Sequence, residues 1–183
     1  SKVKMLHRFG KTDEQLKYLE QARLHIGKDT LSGNMMKYYG ALSNYHTLKH
    51  NYYLALNLNL KATELAKTYD PIYGIVLEQN LTLIYEILED YDNALQKLLE
   101  INIKLDCLND HRGILFGYFG LSSVSLSKKD YPAAKKYCQE AIQLRVDHGV
   151  STAFGYIYFV LGEVAIAESK LDSALFYFQK GLD

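Results

Sequence analysis

The sequence is short of several things that would narrow its function at once. Of its 183 residues none is tryptophan, two are proline and two are cysteine. Few prolines leave long helices uninterrupted, because proline removes a backbone donor and clashes with the preceding turn. Cys107 and Cys138 stand apart from any CxxC pair, so neither a zinc ligand set nor a disulfide framework is legible, and two partly buried helix cysteines are expected. Charge of one sign is also missing. Lys plus Arg and Asp plus Glu both number 21, and neither sign forms a long block. Nucleic acid and anionic membranes are attracted by concentrated basic fields, so neither is expected as a partner. No apolar run reaches the length of a membrane span. The opening stretch SKVKMLHRFGKT has no apolar core of signal-peptide length, which favours the cytoplasm. It also starts without methionine, and the chain is read as a fragment of a longer protein.

What the sequence does contain is a repeat. The stretch KKDYPAAKKYCQEAIQLR, from Lys128 to Arg145, has relatives in HNYYLALNLNLKATELA from His50, EDYDNALQKLLEINIKL from Glu89 and SKLDSALFYFQKGLD from Ser169. Aligned on the small residue, these give Ala55, Ala94, Ala134 and Ala174, separated by 39, 40 and 40 positions. A fixed period in this range marks a stacked array of supersecondary units. Seven residues beyond each alanine lie Ala62, Ile101, Ala141 and Gly181; three of the four are small and let helix axes approach. Between them stand Asn59, Leu98, Cys138 and Phe178, all but Asn59 suited to act as apolar wedges. Thirteen residues before each alanine, a leucine precedes a small residue: Leu42-Ser43, Leu81-Thr82, Leu121-Ser122 and Leu161-Gly162.

Taken in order, the pattern predicts a helix over 12–26, with Leu16, Leu19, Ala22 and Ile26 at helical spacing and Thr12 or Asp13 as N-cap. It reads as the second helix of a partial repeat (1–30) whose first helix is missing or reduced to Lys2–Phe9. Helix pairs then follow over about 34–48 and 52–68, 71–88 and 91–107, 114–127 and 131–146, and 152–168 and 171–183. Asp70-Pro71 is a cap followed by proline at the first helical position, where its missing N–H costs nothing. The repeats are placed at about 33–70, 71–110, 111–149 and 150–183, within a single domain over 1–183.

The Leu-small, Tyr, Ala, large-apolar, Ala order resembles the tetratricopeptide repeat. It is carried by Leu161, Gly162, Ala174 and Phe178 in the last unit and by Leu81, Tyr85, Tyr91, Ala94 and Leu98 in the second. The family's tryptophan is replaced by Tyr39, Glu78, Tyr118 and Tyr158, and only Gly162 keeps its glycine. The period is similar to the long variety found in kinesin light chain and in bacterial peptide-sensing and signalling proteins. The resemblance implies an all-α, right-handed superhelical solenoid of antiparallel pairs with about nine helices. It also implies a non-enzymatic scaffold without cofactor that binds a protein or peptide, as the sensory or interaction segment of a larger bacterial regulator.

In the family's register the first helices line a groove. Facing it would be Lys37, Ala41 and Asn44, then Gln79, Asn80, Leu83 and Glu86, then Phe116, Phe119 and Ser123, and finally Tyr156, Phe159 and Glu163. Amides can bond a peptide main chain, and aromatics supply the area that dominates hot spots. The aromatics are also open to a plainer reading as packing between neighbouring helices. Lys37 is the only base in the set, so acidic chaperone tails are expected to bind weakly or not at all. A second role, a structural self-assembly module whose copies stack end to end or pair as a homodimer, would use Leu175, Phe178 and Leu182 on the last helix, which nothing in the sequence follows to cover.

Other motifs are weak. His46 and His50 lie four apart without a metalloprotease glutamate, so metal binding is not expected there. Asn80-Leu81-Thr82 matches a glycosylation sequon but falls mid-helix. The glycines of GILFGYFG, Gly113 to Gly120, lack phosphate-loop spacing and suit close helix contact.

Overall fold

A computed structural model of the protein describes residues 12–149 and 154–182. The Lys2–Phe9 segment, the side chains of Thr12 and Asp13, and the outer limits of the last pair at Thr152 and Asp183 lie outside the described residues. Among those described there are nine helices and no strand: α1 Thr12–Ile26, α2 Gly33–Leu48, α3 Tyr52–Tyr69, α4 Pro71–Ile87, α5 Tyr91–Cys107, α6 His111–Ser127, α7 Tyr131–His148, α8 Phe154–Ala167 and α9 Leu171–Leu182. The chain divides into two compact units, one up to Glu89 and one from Asp90.

Helix starts are set by a comb of aspartates. Asp70, Asp90, Asp110 and Asp130 each accept a hydrogen bond from the N–H three residues on, at 3.0 Å from Tyr73, 3.4 Å from Asn93, 2.9 Å from Gly113 and 3.1 Å from Ala133. Ser32 does the same for α2, taking the Met35 N–H at 3.2 Å. Each such cap satisfies a donor the helix cannot, and is worth about 1 kcal/mol. Five helices are followed by a residue with left-handed backbone: His50, Glu89, Asn109, Lys129 and Ser169 have φ of 60°, 59°, 53°, 64° and 61°, and Glu89, Asn109 and Lys129 directly precede a capping aspartate. At each of these turns only three residues separate one helix from the next.

In the first unit α2 packs on α1 and α3, and α3 packs on α4. Met36, Ala62, Ala66 and Leu77 form its buried cluster, with Tyr39, Leu65 and Tyr73 against it. Small residues set the approach. A Cβ on Gly40 would lie 2.7 Å from Leu77, and one on Gly74 would lie 3.2 Å from Ala66. Ser43 is buried and its hydroxyl donates to the Ala55 carbonyl at 2.8 Å, tying α2 to α3 through the two repeat-defining positions. On α1 the helical stripe is only partly used: Leu19 and Gln15 are buried, whereas Ala22 is exposed.

In the second unit α6 packs on α5 and α7, and α8 packs on α6, α7 and α9. The core joins Leu115, Ala134, Cys138, Ala141, Ile157, Tyr158, Val160, Leu161 and Val164. Here too the glycines of α6 admit neighbours: Gly117 faces the Asn102 amide, and a Cβ on Gly120 would meet Leu98 at 2.9 Å. Gly155 and Gly181 bring α8 and α9 to backbone contact, the Gly181 carbonyl oxygen lying 2.9 Å from the place of a Gly155 Cβ.

Candidate functional site

The candidate residues sit on the helices that carry the leucine-and-small-residue register, and all are solvent-accessible. In the first unit Lys37, Ala41 and Asn44 share a face of α2, beside the buried Met36, Gly40 and Ser43. On α4 the buried side holds Leu77, Leu81 and Ile84, while Leu83 is exposed and Gln79, Asn80 and Glu86 are half-buried. Val76 and Ile87 belong to the same accessible stripe as Leu83 and are exposed with it, although sequence reasoning had passed over them. Their spacings of 7 and 4 residues from Leu83 are the signal that could have found them. The α4 face is therefore more apolar than an amide-rich one.

In the second unit Phe116, Phe119 and Ser123 on α6 and Tyr156, Phe159 and Glu163 on α8 occupy matching positions, each pair 40 residues apart. Spacings of three and seven residues put each trio on one side of its helix. Tyr156 is 57% and Phe159 53% exposed, and Phe116 is exposed as well. The Phe119 and Tyr156 rings join across the two helices, with centroids 4.9 Å apart and planes inclined by 37°. Phe119 is half-buried and also packs against the core, so it serves both the packing and the face.

The three residues on α9 divide. Leu175 is exposed and Leu182 is 89% exposed, but Phe178 is half-buried, lying against Gly162 and 5.9 Å from the Phe159 ring centroid. Phe178 is thus a wedge inside the α8–α9 hairpin first and a surface residue second.

The weak motifs resolve locally. His50 occupies a left-handed turn with its Nδ1 2.6 Å from the Tyr52 hydroxyl, and His46 lies 3.5 Å from the Asn51 amide. No cluster of three or more metal-ligating side chains occurs among the described residues. Asn80 is half-buried within α4, and Leu81 beside it is buried.

Known structures show the same arrangement. BtubC (BKLC) from P. vanneervenii matches with a TM-score of 0.79 at 13% identity, over 98% of this chain and 75% of that one. The fold is TPR-like. Nearly identical TPR-like repeats assigned to a kinesin light chain of Podosopora anserina match at 0.80 and 11% identity, covering 98% of this chain and 89% of theirs. The apo form of RapI matches at 0.82 and 15%, covering 98% of this chain and 66% of its own. No protein-family model and no curated protein matches the sequence. The likeness shows a TPR-like helical repeat fold. In TPR-like terms the family's tryptophan position is filled here by half-buried Tyr39 and Tyr118 and by buried Glu78 and Tyr158.

Proposed function

We propose that the chain is a non-enzymatic scaffold that binds a peptide or protein segment along its register-bearing helices. The observation that carries this reading is the aromatic face of α6 and α8, where Phe116, Tyr156 and Phe159 remain exposed in a unit that has already buried a full core. Scattered surface apolar residues are ordinary, but aromatics gathered at matched positions on adjacent helices are the make-up of a binding hot spot. The α4 stripe of Val76, Leu83 and Ile87, with Asn80 and Gln79 beside it, offers the first unit a face of the same kind. The test is titration of peptides selected on the intact chain against Tyr156→Ala, Phe159→Ala and Asn80→Ala. Affinity unchanged in all three, with the fold intact by circular dichroism, overturns the reading.

The finer reading treats residues 1–183 as one repeat domain, the sensory or interaction segment of a larger bacterial regulatory protein. It rests on resemblance to the long-period repeat proteins. The full reading frame tests it, and a frame without an output domain would remove it.

A second reading, self-association through α9, is favoured by exposed Leu175 and Leu182. Light scattering across concentrations, repeated with Leu175→Glu, separates it from the first: a monomer in both samples eliminates it.

A further inference from the structure

We propose that the aromatic face of α6 and α8 receives the cationic side chain of a lysine- or arginine-bearing peptide segment, with Glu163 as its counter-charge. This rests on the peptide-binding reading above and adds the chemistry of the partner. The face is mainly aromatic, with the Ser123 and Tyr156 hydroxyls and a single charged group. Helix α8 reads FGYIYFVLGEVAIA, in which Glu163 is the only charged residue, and α6 carries none after Arg112 in its first turn. Glu163 is half-buried and lies one turn beyond Phe159 and two beyond Tyr156, on the same side of α8. No hydrogen bond or ion pair engages it among the described residues.

Four lysines of this unit are committed elsewhere. Lys135 and Lys170 both pair with Glu168, the latter at 2.9 Å, and Lys128 pairs with Asp92 at 2.5 Å. Lys180 lies over the Tyr158 and Phe176 rings, 5.0 and 5.6 Å from their centroids. No ion pair among the described residues neutralises Glu163, so an apolar occupant would strip water from an unpaired carboxylate. An acidic occupant would add repulsion to that cost. A cation removes it, and gains again from the ring faces of Phe119 and Tyr156, whose quadrupoles attract positive charge. The contacts of Lys180 show that this chain already places ammonium groups over its own rings.

Selection of a random-peptide phage library on the intact protein, in parallel with its Glu163→Gln variant, provides the test. Lysine and arginine should be enriched in peptides taken by the wild type, and the enrichment should vanish for Glu163→Gln. Synthetic copies of the enriched peptides, followed by fluorescence anisotropy, should bind Glu163→Gln on the order of tenfold more weakly. Glu163→Lys should abolish binding, and Glu140→Gln on α7 should leave it unchanged. Peptides enriched without basic residues, or equally basic ones selected by Glu163→Gln, overturn the inference while the peptide-binding reading stands. No enrichment over background overturns both.

Discussion

The ring of Phe178 fills the space that a β-carbon on Gly162 would occupy. Gly162 holds the glycine position of the repeat on α8 and Phe178 the large-apolar one on α9, and their fit sets how closely that hairpin closes. Gly162→Ala should therefore split into two opposed effects. Alanine favours a helix over glycine by about 1 kcal/mol, while overpacking costs about 1–3 kcal/mol. In the wild-type background the substitution is expected to destabilise by about 1–2 kcal/mol. With Phe178→Ala already present it should stabilise by up to about 1 kcal/mol. Urea denaturation of the four proteins reads the reversal, and the same sign in both backgrounds would contradict the packing described.

Asn102 and Gly117 form a comparable pair across α5 and α6, with a polar side chain as the wedge. The Asn102 amide lies where a Gly117 β-carbon would go, and its buried Oδ1 has no hydrogen-bond partner among the described residues. A buried acceptor left unpaired costs about 1–3 kcal/mol. Removing it with Asn102→Ala should forfeit less stability than truncating a buried leucine, by about 1–2 kcal/mol. Gly117→Ala should be harmful alone and tolerated with Asn102→Ala. A double-mutant cycle should give a coupling above about 0.5 kcal/mol, and additive effects would rule the contact out.

The helix bounds were legible because the small residues keep one phase. Ala55, Ala94, Ala134 and Ala174 are all buried, as are Ala62, Ile101 and Ala141. The predicted 71–88 and 91–107 become Pro71–Ile87 and Tyr91–Cys107. That phase failed where its premise failed. On α1 the position one period before Ala55 is Gln15, which is buried, while Ala22 lies exposed on a helix that packs on α2. An alignment phased on alanine also overlooks the aspartate comb, which repeats every 20 residues because it marks both helices of a pair. The turns were harder still. A glycine is the usual sign of a left-handed helix end, and these reversals use His, Glu, Asn, Lys and Ser instead. At the candidate site, register identified the faces, but exposure depends on neighbours that register does not name. Phe178 and Phe119 accordingly proved to be partly committed to packing.

Those reversals make a graded prediction. A side chain in left-handed backbone costs about 1–2 kcal/mol for most residues and less for asparagine, whereas glycine bears no such cost but loses more entropy on folding. Lys129, with φ of 64°, is exposed, and no hydrogen bond or ion pair among the described residues engages its side chain. Lys129→Gly should stabilise by about 0.5–1 kcal/mol, raising Tm by roughly 1–4 °C for a chain of this size. Asn109→Gly should change it less. Equal or inverted responses in thermal unfolding would show that the reversals are not strained.

Cys138 makes stability depend on pH in a direction opposite to that of the usual paired carboxylate. Burial among Leu115, Ala134 and Ala141 pushes its thiol up from about 9 to about 11, against a smaller downward pull from the Ser122 hydroxyl. Its sulfur lies 3.8 Å from the Ile157 carbonyl oxygen, a contact suited to the protonated thiol as donor. The unfolded chain releases this proton first, so above about pH 9 the unfolded state binds fewer protons and stability falls with rising pH. The contribution is complete below about pH 9, is lost progressively up to about pH 11, and amounts to roughly 2–3 kcal/mol. Tyr38, Tyr73 and Tyr118, also raised by burial, act in the same direction. Comparison with Cys138→Ala cancels their effect. The stability gap between the two proteins, measured by denaturant at a series of pH values, should move by that amount in favour of the variant. A thiol reagent at mildly alkaline pH should label Cys107, which is exposed, and spare Cys138 until denaturant is added. A gap that stays constant with pH, or two thiols labelled in the native protein, would place Cys138 outside the sealed core.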